Sequence, residues 1–169
     1  MTTAIYRFSE HAVSSYYSMI PLNAKRAAKK FILDTIGVGL MGSAGPWAEE
    51  LIKSQGKPFS NHIGRVIGTQ SILDARSAAL CNAYQIHNSE FDCFHETAVV
   101  HPLTCILAAS LAEIDRQHFS GEGEISGKKL IRAVVIGVDI ACNLGIASKK
   151  GLRFFRPGTC GAFGATIAV

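Results

Sequence analysis

The sequence predicts a mainly α-helical, bundle-like single domain over residues 1–169. Three observations carry that prediction. Apolar residues recur at steps of three and four through several long segments, which is the period of a helix with one buried face. Proline opens periodic runs, at Pro21, Pro46 and Pro102, where a first-turn residue needs no backbone N–H. Glycine reaches 16 residues against 5 prolines in a chain that is 48% hydrophobic, a mix that suits helices in close contact.

Residues 4–17 read as a short first helix. Pro21 then restarts the chain into a longer helix that runs to about Met41. Ala28, Ile32, Ile36 and Leu40 repeat every fourth position there, flanked by Phe31, Thr35 and Val38, while Lys25, Lys29 and Lys30 face outward. Gly37, Gly39 and Gly42 are expected to mark contact with another helix. Gly45-Pro46 opens a short helix to about Ser54, and a loop from Gly56 to Gly64 leads into an extended piece, Arg65 to Gly68. Ser71 with Asp74 three residues on has the pattern of an N-cap with an acidic N3 residue, ahead of the Ala-rich helix Ala75 to Ile86. Pro102 begins a helix with Leu103, Leu107 and Leu111 on one face, ending near His118. A polar loop, Phe119 to Ile125, leads to Ser126, which caps a core helix carrying Leu130, Val134, Gly137, Ala141 and Leu144. Gly158-Thr159-Cys160-Gly161 reads as a loop entering a last helix. The chain stops at Val169 within an apolar pattern, so a C-terminally truncated domain, lacking a second domain, is expected.

The net charge is +4, but the 17 basic residues form no stripe. The group Lys25, Arg26, Lys29 and Lys30 has no interleaved aromatics and reads as a solvated helix face, which argues against a nucleic-acid partner. A second group, Lys149, Lys150, Arg153 and Arg156, lies near the end. The five cysteines, Cys81, Cys93, Cys105, Cys142 and Cys160, form no C-x-x-C pair and read as reduced thiols, mostly serving as small buried hydrophobes. Arg7 and Glu10 precede any apolar run, unlike a secretory signal, and the apolar stretch Ala133 to Val138 falls short of the ~20 residues of a membrane span. A cytoplasmic protein without a membrane partner is expected.

Polar chemistry concentrates between His87 and His101. His87, His95 and His101 stand there with Glu90, Asp92 and Glu96 in a chain only 18% charged. Imidazoles titrate near neutrality and carboxylates orient them, as acid–base catalysis requires. The bland alternative is a hydrophilic loop with His101 capping a helix. A metal reading would use His87, Glu90, Asp92 and His95, but these lack helix spacing or a recognised motif, so no metal is expected. Arg156, Gly158 and Thr159 form the second constellation. A Gly-preceded helix N-terminus beside Arg suits a carboxylate, although Gly and Pro shaping a turn with an exposed Arg reads equally well.

In their order and spacing these segments resemble the N-terminal part of the MmgE/PrpD family, which includes 2-methylcitrate dehydratase and cis-aconitate decarboxylase. The resemblance runs from Leu33-Asp34-Thr35-Ile36-Gly37-Val38 through Ala79 to Asn82 and Glu90-Phe91-Asp92 with His101-Pro102. It closes on Arg156-Pro157-Gly158-Thr159-Cys160-Gly161-Ala162-Phe163-Gly164-Ala165. It implies a two-domain, mostly helical, dimeric enzyme that needs no cofactor and acts on small di- or tricarboxylates. It further implies that His101 is the active-site histidine, with Glu90 and Asp92 at the two acidic positions. Where many members have a further Asp and then Thr, this chain has Cys93 and Phe94, and where many have a His before the Gly-Thr turn it has Phe155 followed by Arg156.

The expected function is therefore a cofactor-independent lyase, a dehydratase or decarboxylase of a small polycarboxylate. His101, Glu90 and Asp92 would be catalytic, with Arg156, Gly158 and Thr159 holding substrate. The alternatives are an isomerase or epimerase working by α-proton abstraction, and a non-catalytic fragment.

Overall fold

The computed structural model describes residues 3–56, 63–148 and 154–169. Most of the expected loop between Gly56 and Gly64, and Lys149, Lys150 and Arg153 of the second basic group, lie outside the described residues. Seven helices follow in order among those described: α1 (Ala4–Ser14), α2 (Leu22–Gly42), α3 (Ala48–Gln55), α4 (Ala75–His87), α5 (Pro102–Phe119), α6 (Gly127–Ala147) and α7 (Arg156–Ala168). Between α3 and α4 a two-stranded antiparallel ribbon pairs β1 (Gly64–Arg65) with β2 (Ile72–Leu73), Gly64 opposite Leu73 and Arg65 opposite Ile72. The mainly α-helical expectation holds.

Helix α5 is the axis, packed by α2, α4, α6 and α7. Its Leu103, Ile106 and Leu107 are fully enclosed with Val134 and Ala141 of α6 and Cys160 of α7. Each aliphatic side chain removed from water this way contributes about 1.5–3 kcal/mol. Asp115, near the other end of α5, accepts the backbone N–H of Arg65 at 2.8 Å and pairs with its guanidinium, fastening the ribbon to the axis. Asn82 of α4 accepts the N–H of Ile67 and donates to the carbonyl of Arg65.

Several local expectations are corrected. The first helix stops at Ser14, and a separate 3-10 turn covers Tyr17–Met19. The Arg132 guanidinium of α6 reaches across to take the carbonyls of Ala12 and Ser15, satisfying groups a helix end leaves open. Asp74, not Ser71, is the N-cap of α4, and its carboxylate accepts the N–H groups of Arg76 and Ser77. The residues before it are β2, and Ile67-Gly68, expected to be extended, form the ribbon's turn with Gly68 at φ +71°. The cap assigned to Ser126 is present.

In α2 the buried positions are Ala28, Thr35, Gly39 and Gly42, with Ile32 and Ile36 partly covered and Leu40 half exposed. A strict four-residue repeat drifts about 40° per step around a helix, so Leu40 rotates off the face that Ala28 begins. Gly39 and Gly42 do meet α4 or its flanking turn, whereas nothing lies within 4 Å of where a Gly37 side chain would start. By length and composition α6 could cross a membrane, but much of it is enclosed within the domain. Its apolar surface serves α5 and α7 instead.

Two glycines of the same helix should therefore respond oppositely. A Cβ at Gly42 would lie 1.8 Å from the Gln85 carbonyl oxygen, so Gly42→Ala is expected to destabilise by about 1–3 kcal/mol or more in urea unfolding. Gly37→Ala should raise stability by up to about 1 kcal/mol through helix propensity. Asp74→Ala is expected to lose about 1 kcal/mol at neutral pH. The Ser77 hydrogen bonds hold the Asp74 carboxyl below its usual range. Its contribution is thus complete above the unfolded value near 4 and fades as the pH falls through the lowered folded value, which acid titration of the melting temperature would register.

Candidate active site

Helix α4 ends at His87, and the chain then reverses tightly. The N–H of Glu90 donates to the His87 carbonyl at 2.9 Å, with Glu90 itself left-handed at φ +53°. Asn88 anchors the turn by donating from Nδ2 to the Gly42 carbonyl. A second reversal follows, in which His95 donates its backbone N–H to Val100 O at 2.9 Å and Val99 sits at φ +55°. A β-branched residue in that region is held there only by its surroundings. The clamp is visible: Ala98 is fully buried, and a Cβ at Gly145 of α6 would lie 2.6 Å from the Ala98 carbonyl oxygen.

These reversals bring three segments onto one carboxylate. Asp92, whose side chain is fully enclosed, has His87 Nδ1 3.0 Å from Oδ1 and His101 Nδ1 3.2 Å from Oδ2. The Thr104 hydroxyl, one turn into α5, donates to Oδ2. The imidazoles meet edge to face with centroids 4.8 Å apart, and Phe94 packs 5.0 Å from the His101 ring. A carboxylate only accepts, so the His87 Nδ1 hydrogen-bonded to it is the donor, which leaves His87 Nε2 as that ring's basic nitrogen. His87 is hydrogen-bonded to Asp92. His101 Nδ1 is at ion-pair distance without hydrogen-bond alignment, and its side chain is the more enclosed of the two.

The expected site residues divide. Asp92 and His101 belong to the cluster. Glu90 sits outside it, on the exposed left-handed turn position. Arg156, Gly158 and Thr159 lie in the first turn of α7. The last two are therefore inside the helix rather than in a loop ahead of it, because Pro157 fits the second helical position and the Thr159 N–H already bonds Phe155 O. Pro157 also removes one backbone donor that an anion would use. α7 runs alongside α5 from the same end of the bundle, with Gly161 against Cys105 and Gly164 against Ile106. Arg156 donates to the Ser148 carbonyl at 3.2 Å, tying the end of α6 to the start of α7.

Sequence reasoning placed His87 in the polar segment but not among the catalytic residues, and it did not single out Thr104. The available signal was a histidine closing a helix five residues before Asp92, but its direction depends on the turn at Glu90. The possible metal donors also regroup. His87, Asp92 and His101 lie within 4.8 Å of one another and could share a divalent cation, whereas His95 accepts the Ala98 N–H and Glu90 stands apart. Cys93, beside Asp92, is a poor nucleophile, because burial pushes its thiol up to about 11.

Residues 6–169 match the model of the MmgE/PrpD N-terminal domain. The chain belongs to the MmgE/PrpD family. Among MmgE/PrpD relatives it is 30% identical over 131 residues to a cis-aconitate decarboxylase-like protein, oryM, of Aspergillus oryzae, covering 77% of this chain and 27% of that protein. To the cis-aconitate decarboxylase of Aspergillus terreus it is 30% identical over 128 residues, covering 76% and 26%. To that of Mus musculus it is 26% identical over 153 residues, covering 85% and 30%. The chain thus spans between a quarter and a third of the length of these MmgE/PrpD relatives.

Asp92→Asn should remove the negative charge and one of the two acceptor oxygens that the neighbouring donors share. Nitrogen-15 spectra are expected to show the Nδ1–H tautomer at His87 in the parent chain and a shift toward Nε2–H in the variant. Loss of stability of about 1–3 kcal/mol should accompany it, from donors left without an acceptor. Cys93 should resist iodoacetamide at neutral pH in the folded protein and react readily once urea exposes it.

Proposed function

We propose that this chain supplies the acid–base part of a lyase that removes CO2 or water from a small di- or tricarboxylate, within a larger enzyme. The observation that carries the reading is the enclosed Asp92 carboxylate bearing two imidazoles, with the His101 ring partly open to solvent and backed by Phe94. Decarboxylation leaves an electron pair beside the remaining carboxylate, and a protonated His101 Nε2 is suited to deliver the proton that quenches it. Dehydration runs the same groups in the other order: Nε2 takes the proton α to a carboxylate, and a second acid protonates the departing hydroxyl. In both, Asp92 stabilises the imidazolium while it exists, the term that preorganised electrostatics makes large. Arg156, at the same end of the bundle, is proposed to draw a substrate carboxylate to the start of α7. The names of the three relatives favour decarboxylation of an unsaturated tricarboxylate.

The test is product analysis of the enzyme containing this chain, incubated with cis-aconitate and with 2-methylcitrate. Loss of the mass of CO2 or of water supports a lyase, whereas an unchanged mass with altered stereochemistry would replace it by the isomerase reading. His101→Ala is expected to lower kcat about 10²–10⁴-fold. Arg156→Gln should act mainly on KM, and turnover undiminished in His101→Ala would refute the assignment.

A further inference from the structure

Spacing along the chain gives His87, Glu90, Asp92 and His95 no metal motif, yet the fold assembles a different set of donors. His87, Asp92 and His101 each place a ligand atom within 4.8 Å of the others. His87 Nδ1 lies 3.0 Å from Oδ1 of Asp92, and His101 Nδ1 lies 3.2 Å from Oδ2. Around a tetrahedral zinc ion with bonds of about 2.0–2.2 Å, neighbouring donors stand roughly 3.3 Å apart. Both nitrogen–oxygen distances are close to that, so the approach still needed is between the two imidazoles. His101 can supply it, because its Nδ1 is buried without a hydrogen-bond partner and its ring turns without giving up a bond. An enclosed nitrogen that faces a carboxylate without hydrogen-bonding to it costs stability, and a cation between the two satisfies both.

The surroundings suit an ion as well. The Thr104 hydroxyl donates to Oδ2, the kind of outer contact that fixes a ligating carboxylate. Phe94 packs on the His101 ring and separates the cluster from an apolar cavity of about 730 Å³ lined by Met19, Ile20, Phe31, Leu103 and Val134. Such a shell limits the access of water to a bound ion. Two imidazoles with one carboxylate favour a divalent first-row transition ion over Mg2+ or Ca2+, which take oxygen donors.

We propose that His87 Nδ1, the Asp92 carboxylate and His101 Nδ1 bind one divalent transition-metal ion of the zinc type, with water in the remaining position. The Nδ1 proton of His87 leaves to solvent as the ion takes its place. Ligation at Nδ1 keeps the ring proton of His101 on Nε2, where it can be donated but no second proton accepted. The loaded cluster and the proton-accepting cluster are therefore alternative states of the same three side chains. The site goes beyond the lyase reading and does not rest on it.

The test is zinc binding by the protein after treatment with EDTA, measured by equilibrium dialysis and by X-ray absorption at the zinc edge. One ion per chain is expected, with nitrogen and oxygen neighbours at about 2.0–2.2 Å and the outer-shell scattering of two imidazoles. His87→Gln, Asp92→Asn and His101→Gln, each checked by circular dichroism for native helix content, should each weaken binding about 100-fold or more. Thr104→Val should weaken it about 10–100-fold, and His118→Gln, at the exposed end of α5, should leave it unchanged. If no ligand variant folds, the parent protein decides: a sulfur neighbour at about 2.3 Å, or fewer than two imidazoles, overturns the proposal. Full affinity in a folded His101→Gln, or no zinc retained on dialysis, overturns it equally. Because the readout is binding, either failure leaves the lyase reading standing, and zinc bound by a protein that forms no lyase product defeats only that reading.

Discussion

The burial of the Asp92 carboxylate is the constraint on which the rest of the site depends. A charge removed from water is tolerated only with donors arranged around it, and those donors are His87 at the end of α4 and Thr104 in the first turn of α5, with His101 at ion-pair distance. Two helices and the loop between them are thereby held in one register. The left-handed backbones of Glu90 and Val99 follow from this requirement, since both residues lie where the chain must reverse to return to Asp92. Strain that an isolated loop would relax is kept because relaxing it would pull a carboxylate from its partners.

Close helix packing supplies the frame for those reversals. Backbone meets backbone where Gly42 faces the Gln85 carbonyl, where Gly137 and Gly164 face each other's carbonyls, and where Gly145 faces Ala98. The last contact holds the turn that leads into His101. At the far end of α5, the enclosed Asp115 performs the same kind of service for the ribbon that Asp92 performs for the loop. The axis of the bundle is thus held through a carboxylate near each end, one structural and one turned toward a partly open imidazole.

The polar cluster and the apolar cavity stand back to back, and Phe94 belongs to both.

Much of the fold was legible because helices announce themselves locally. The α5 repeat from Leu103 and the Ser126 cap depend on spacing within a few residues, and both appear where the periodicity places them. The misplacements came where distant groups intervene: Arg132 sets the end of α1, and the pairing of Gly64–Arg65 with Ile72–Leu73 makes a strand of the residues expected to begin a helix after Ser71. The sequence by itself also determined that polar chemistry would gather between His87 and His101, since composition is local. It did not determine that His87 and Thr104 would join Asp92 while Glu90 would turn outward. That selection belongs to the tertiary structure, because two left-handed residues and a clamp from α6 set the direction of each side chain, and neither is encoded in spacing along the chain.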